Sequence, residues 1–198
     1  VTRLVLIRHA ATAWNAAHRV QVRADVPLSA EGRAEAARWR LPADLDLAAA
    51  RWATSPLGRA RETAALMGAR HAAVEPRLIE MDWGAWEGVR LAELRARHGA
   101  VMAANEARGL DFRPEGGESP REVQARLAPW LAEMAARGGV VVAVTHKGVI
   151  RAALARATGW DMTGRAPSRI ARGRAQVLDL APGGGLAVAR LDLALAPS

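Results

Sequence analysis

The apolar positions fall into short runs separated by stretches of helical periodicity. Leu4 to Ile7 is a continuous apolar run of strand type that exits at Arg8-His9. "LSAEGRAEAARWR" predicts a helix capped by Ser29, with Ala34, Ala37 and Leu41 on one face. Arg51 to Thr54 reads as a second short strand. Ser55-Pro56 then opens a helix, with serine as the cap and proline in the first turn, that ends at Gly68. "HAAVE" predicts another brief strand. "SPRE", Ser119 to Glu122, is a capping box. The helix behind it carries Val123, Leu127, Leu131 and Met134 on one stripe, with a kink expected at Pro129. "GGVVVAVT" is the best buried strand, and "HKGVIRAALARATG" follows it as a helix. "AQVLDLAPGGGLAVARLDL" reads as a strand, a glycine turn and a strand.

Strands alternate with helices over most of the length. That pattern predicts an α/β fold with a parallel or mostly parallel sheet and helices on both faces. At 198 residues the chain predicts one domain, 1–198. From Met81 to Gly117 the pattern loosens into helical pieces and the Gly/Pro-rich "RPEGGESP". The segment 82–117 is therefore predicted to be an insertion lying above the sheet and over the site.

Composition narrows the chemistry. With 51% hydrophobic residues the chain can bury a sizeable core, although alanine supplies much of that fraction. There is no cysteine, which excludes disulfides, thiolate chemistry and cysteine-zinc sites. No secretory leader pattern appears, and no apolar run approaches the ~18 residues of a membrane span. A cytoplasmic protein without a membrane partner is the expectation. The formal charge is +8, and Lys147 is the only lysine. No dense basic run suggests a nucleic-acid-binding arm, so the excess charge points to small anionic ligands.

Three strands end in the same manner. The first exits at Arg8-His9, the second at Ser55-Pro56 with Arg59 soon after, and "VVVAVT" at His146. Ligands of an open parallel sheet bind at the carboxyl ends of its strands. Helix N-termini there favour anions. The combination suits phosphate: arginine offers bidentate donors, and histidine can attack phosphorus. Taken singly, Arg8 and Arg59 read more readily as surface arginines, His9 as a hydrogen-bonded structural histidine, and His146 could merely cap the next helix. A metal held by His9, His18 and His146 is the weaker alternative, because their spacing fits no compact metal motif.

"LIRHAATAWN", "SPLGRARETA", "LIEMDWGAWEG", "GGES" and "VTHKGVIRA" resemble, in order and approximate spacing, the motifs of the histidine phosphatase superfamily, the branch that includes phosphoglycerate mutase. The resemblance implies a three-layer α/β/α sandwich with a mostly parallel sheet. It implies His9 as the nucleophile that becomes phosphorylated. Arg8, Arg59, His146 and Asn15 match the residues that hold the transferred phosphoryl group, and Glu80 matches the carboxyl group that protonates the leaving oxygen. No metal or other cofactor is implied, since arginine and histidine supply the positive charge. The partner is a small phosphorylated substrate, and a homodimer is common among relatives.

The sequence departs from the family pattern at Ala10-Ala11, where glycine and then Glu or Gln are usual, at Val22 and at Lys147. Ala10 fits only if its turn avoids a positive φ. Lys147 reads evenly as a contact to a second anionic group or as an exposed helix-start residue. Trp14 and Trp83, with Trp86, could form an apolar wall at the substrate rim or simply pack the base of the insertion. Gln21 and Arg113 are further rim candidates. "MDWGAWEG" resembles the phosphatase branch, so a metal-independent phosphomonoesterase is expected. A phosphoglycerate mutase-type phosphotransferase and a phosphate-binding module with little turnover are the alternatives.

Overall fold

The computed structural model describes residues 2–197; Val1 and Ser198, at the ends of the expected domain, lie outside the described residues. The apolar run at the start forms β1 (Thr2–Arg8), followed by the short α1 (Ala13–Ala16), α2 (Ala30–Ala36) and β2 (Trp39–Arg40). β3 (Arg51–Thr54), α3 (Gly58–Leu66), β4 (Ala73–Val74) and α4 (Leu91–Glu106) come next. The second half contains α5 (Pro120–Arg137), β5 (Val140–Thr145), α6 (Lys147–Thr158), β6 (Arg174–Leu180), β7 (Leu186–Ala194) and β8 (Ala196–Pro197).

Six strands make the main sheet in the order β4-β3-β5-β1-β6-β7. The first four are mutually parallel, while β6 runs antiparallel to both β1 and β7. The mostly parallel sheet is thus confirmed, with the glycine turn 182–184 returning β7 beside β6. β2 and β8, which the apolar pattern does not announce, form a separate two-stranded ribbon.

Period-2 alternation in β1 sends its side chains to two cores. Leu4 and Leu6 join Val123, Leu127, Trp130, Leu131, Ile150 and Leu154 from α5 and α6. Val5 and Ile7 join Ala36, Ala60 and Ala64 from α2 and α3. The predicted stripe on α5 is buried throughout, and its capping box forms as expected. α5 runs through Pro129 as one helix. Pro129 and Ala125, whose carbonyl it cannot bond, are both exposed, so water can satisfy that carbonyl. Gly159 ends α6 in the left-handed region.

Two expectations need correction. On α2 the buried residues are Gly32 and Ala36, followed by Trp39, while Ala34 and Ala37 are exposed. The helix is held against Ala11, whose carbonyl a Cβ at position 32 would overlap; a close backbone approach, not periodicity, selects the face. The helix after Ser55 starts later than expected, with Leu57 in the cap position. Ser55 Oγ accepts from the amide of Leu57 at 3.3 Å and lies 2.7 Å from His146 Nε2, and the amide of Gly58 donates to Asp25 Oδ1 at 2.7 Å.

The segment 82–117 holds α4 and two short 3-10 turns, with a break at Gly99 (φ 46°, ψ −120°). It pairs with the loop after α1: Val20 N–H donates to Val89 O, and Gly88 N–H to Val20 O, both at 2.8 Å. No helix among the described residues is long and apolar enough to cross a membrane.

Candidate active site

The sheet register brings the histidines together. Arg8 on β1 pairs with Thr145 on β5, so His9 and His146 leave the sheet side by side. Their ring centroids are 5.2 Å apart, and both side chains are buried. His9 Nδ1 is 2.7 Å from the carbonyl of Ala10. A carbonyl only accepts, so Nδ1 carries the proton and Nε2 keeps the lone pair. Burial, followed by the charges of Arg59 and Arg8, holds the His9 pKa well below its usual value. The ring is therefore neutral near pH 7, with Nε2 nucleophilic.

His146 is fixed in the same way. An Arg59 N–H lies 3.4 Å from its Nδ1, and its Nε2 lies 2.7 Å from Ser55 Oγ. Burial and then the neighbouring His9 keep His146 neutral as well. Arg59, fully buried on α3, donates to the carbonyls of Ala24 (2.8 Å) and Val22 (2.6 Å). That loop is anchored by Glu87 Oε1, which accepts from the amides of Ala24 (2.5 Å) and Val22 (3.3 Å). Val22 itself is buried.

Ala10 is buried and has no positive φ, so its turn does not require glycine. Its amide donates to Thr63 Oγ1 at 3.0 Å, and that hydroxyl donates to Arg59 O at 2.7 Å.

Glu80 reaches the site from the segment before the insertion. Thr145 Oγ1 donates to Leu78 O at 2.7 Å, and Arg126 on α5 donates to Ile79 O at 2.7 Å. The carboxyl group accepts from the amides of Met81 (2.8 Å) and Gly148 (3.2 Å). Burial outweighs these bonds and the nearby arginines, and raises the Glu80 pKa. Gly148 is the only residue type that fits, since a Cβ there would sit 2.5 Å from Glu80 Oε1.

Asn15 and Gln21 are tied to each other through Thr12, three residues after His9. The Thr12 amide donates to Asn15 Oδ1 at 3.1 Å, which commits that oxygen and leaves the Asn15 NH2 as a donor. Thr12 Oγ1 donates to Gln21 Oε1 at 2.7 Å, and Gln21 Nε2 is buried without a partner. Arg8 Nε and Arg59 Nε are also buried and unpartnered. The arginines act on both histidines, and such unmatched buried donors are what a dianion would satisfy. Burial, then the charge of Arg172, lowers the Arg8 pKa to about 10.

The rim candidates separate. Trp83 packs on Trp86 (centroids 6.3 Å apart) and Phe112 (5.3 Å) within the segment 82–117. Trp14 lies against Gly88, where a Cβ would stand 3.3 Å from the indole. Both tryptophans are partly buried. Arg113 is paired with Glu122 at 2.9 Å, at the start of α5. Lys147 opens α6 beside His146 and is exposed, as the helix-start reading expects. His18 is exposed, and among the described residues no group of His, Cys, Asp or Glu side chains is arranged to hold a metal ion.

Sequence reasoning missed Arg172, Ser55 as the partner of His146, Gly148 and Glu87. Glu87 and Gly148 lie inside the quoted motifs, so their positions were visible although their tasks were not. Arg172 carried no such signal, because it reaches the site only through the antiparallel return of β6.

Comparison with known proteins agrees with this geometry. The family model of the histidine phosphatase superfamily (branch 1) matches residues 4–192. A glucosyl-3-phosphoglycerate phosphatase of Mycobacterium tuberculosis is 35% identical over 168 residues, covering 76% of this chain and 72% of the relative. A 2,3-bisphosphoglycerate-dependent phosphoglycerate mutase of Gloeobacter violaceus is 34% identical over 164 residues, covering 76% of this chain and 73% of the relative. The solved structure of a mycobacterial glucosyl-3-phosphoglycerate phosphatase complexed with VO3 superposes with a TM-score of 0.76 at 28% identity, covering 99% of this chain and 100% of that one. With paired buried histidines at the strand exits and a match along nearly its whole length, the chain belongs to branch 1 of the histidine phosphatase superfamily.

Proposed function

We propose that this chain is a phosphoric monoester hydrolase that acts on a small phosphorylated metabolite through a phosphohistidine at His9. The observation that carries the reading is the state of His9. Its Nδ1 is committed to the Ala10 carbonyl, its ring is held neutral, and its Nε2 stands among unmatched arginine donors.

The steps follow from these groups. Arg8, Arg59 and Asn15 hold the phosphoryl oxygens, His146 joins them by turning its Nε2–H from Ser55 Oγ to the bound phosphate, and these donors stabilise charge as it spreads in the transition state. His9 Nε2 attacks phosphorus as the ester P–O bond breaks, and the leaving oxygen takes a proton from Glu80. Water then attacks the phosphohistidine, returns its proton to the Glu80 carboxylate, and releases phosphate and free His9. The raised pKa of Glu80 supports its role as the acid. Metal independence is supported by the arginines, which supply the positive charge that a cation would otherwise bring.

The segment 82–117 acts in this reading as an insertion over the site within a single domain. Glu87 supports that placement by carrying the loop that holds Arg59. The mutase alternative rests on relatives such as the Gloeobacter enzyme.

The test is turnover of p-nitrophenyl phosphate and natural monoesters in EDTA, beside His9→Ala. Activity that survives EDTA, disappears in the variant and leaves acid-labile phosphate on His9 is expected. Equal activity in the variant would overturn the reading. Transfer that needs a bisphosphate primer would favour the mutase.

A further inference from the structure

Glu80 stands on a segment without regular structure. Residues 79–82 belong to no helix or strand, so no backbone ladder fixes the acid. Of the two amides on its carboxyl group, Met81 is its own neighbour, and only Gly148 comes from another part of the chain. Side chains hold the backbone instead. Arg126 on α5 donates to the carbonyl of Arg77 and, at 2.7 Å, to that of Ile79. Between them the carbonyl of Leu78 accepts from Thr145 Oγ1. On the far side of Glu80, Glu118 Oε2 accepts from the amide of Asp82 at 3.2 Å, and the amide of Glu118 donates to Asp82 O at 2.9 Å.

The two brackets are one unit. Arg126 Nε donates to Glu118 Oε1 at 2.7 Å and Nη2 to Oε2 at 3.2 Å, a two-pronged pair. The two side chains are 19% and 16% exposed. Arg23 approaches the same place from the loop 22–24, 2.9 Å from Asp82 and 3.8 Å from Glu118, but it is 43% exposed, and such a pair contributes little.

Stability does not account for the inner pair. Arg126 lies off the buried stripe of α5. An ion pair withdrawn from water often adds no stability over apolar side chains of the same volume. What the pair does supply is direction. The guanidinium fork uses Nε, Nη1 and Nη2 on one carboxylate and two carbonyls of one short segment, a geometry that an ammonium cannot match.

We propose that Arg126 and Glu118 are positioning residues for Glu80. Their pair grips the backbone before and after the acid, and so sets how far its carboxyl group reaches toward the leaving oxygen. The role rests on the hydrolase reading for the proton that Glu80 delivers, whereas the place of Glu80 can be followed without turnover.

Carbon-13 NMR on the full chain follows the titration of Glu80 Cδ, assigned by its loss in Glu80→Gln. Burial, more than any charge, raises that pKa. Arg126→Gln should let water reach the carboxyl group, so the titration should move down toward the ordinary glutamate range. Loss of a positive charge with Glu80 still in place would push it up instead. An upward shift, or none, overturns the proposal. Kinetics give a second readout. Turnover of an alkyl ester such as glycerol 3-phosphate should fall roughly tenfold to hundredfold, while the burst of p-nitrophenolate from p-nitrophenyl phosphate and the binding of inorganic phosphate persist. In the Glu80→Gln background, Arg126→Gln should cost little more. Equal losses on both esters, or losses that multiply in the double variant, mean a general structural role and overturn the proposal. Glu118→Gln keeps an oxygen for the Asp82 amide and should show the same pattern more weakly. It carries the test if Arg126→Gln gives no cooperative thermal transition. If the unmodified chain turns over no ester while the downward shift remains, the hydrolase reading fails and the positioning role stands.

Discussion

Arg59 directs a guanidinium N–H at Nδ1 of His146 across 3.4 Å, and this sets the proton on the opposite nitrogen. Arginine can only donate, so Nδ1 must accept, and His146 Nε2–H is left to donate to Ser55 Oγ at 2.7 Å. Ser55→Ala removes one hydrogen bond to a neutral ring and should lower kcat/KM about fivefold. Arg59→Lys should lower it roughly hundredfold or more, because an ammonium cannot span Val22, Ala24 and His146 at once. Steady-state kinetics on the two variants check the order.

The pH profile of kcat/KM should be bell-shaped. His9 must be neutral to attack, and its pKa lies well below 6.5, so the acid limb falls below that value. Glu80 must be protonated, and its pKa is raised above 4.5, so its ionisation forms the alkaline limb. Glu80→Gln should cut turnover of alkyl phosphates by roughly a hundredfold or more and remove that limb. A burst of p-nitrophenolate should survive in the same variant, since that leaving group needs no proton.

Stability should depend on pH through the buried histidines. Their pKa values are lower in the folded chain than in the unfolded one. Their contribution is complete above pH ~6.5 and is lost as pH falls from there through the folded values, by up to about 1.4 kcal/mol per pH unit for each ring. Glu80 has the opposite sign: its part is complete below 4.5 and is lost as pH rises through its raised pKa. Urea unfolding between pH 7.5 and 5 should show stability falling, with a shallower fall in His9→Asn.

Gly148→Ala should damage catalysis more than folding. The new Cβ would sit 2.5 Å from Glu80 Oε1 and 3.1 Å from Met81 Cβ. Overpacking of this kind costs about 1–3 kcal/mol. The expected signature is a large drop in kcat with the thermal transition lowered by only a few degrees.

Glu87→Ala should release the loop 22–24 and, through it, Arg59. KM for phosphate esters should rise by roughly tenfold, from the loss of charged hydrogen bonds. Glu87→Gln keeps an accepting oxygen and should recover most of the loss.

The residues of the site that could be read from the sequence are those tied to a strand end. Arg8-His9 and His146 close apolar runs whose burial leaves them one place to go, at the carboxyl edge of the sheet. The capping box at Ser119 and the stripe on α5 were equally legible, because both depend on contacts within a few residues. The start of α3 was not, since its cap comes from Asp25, far away in sequence. The face of α2 was not, because a single carbonyl, that of Ala11, selects it.

By itself the sequence determined the alternation of strands and helices, the two histidines at strand exits and the arginine suited to phosphate, since local periodicity and residue chemistry suffice for these. Tertiary structure alone decided which nitrogen of each histidine carries the proton, that Glu80 is protonated more readily than an exposed glutamate, and that Arg172 comes close to Arg8. Those properties come from burial, from the antiparallel placement of β6 next to β1, and from hydrogen bonds between segments far apart in the chain. A linear pattern carries no information about such neighbours until the sheet has set its strand order.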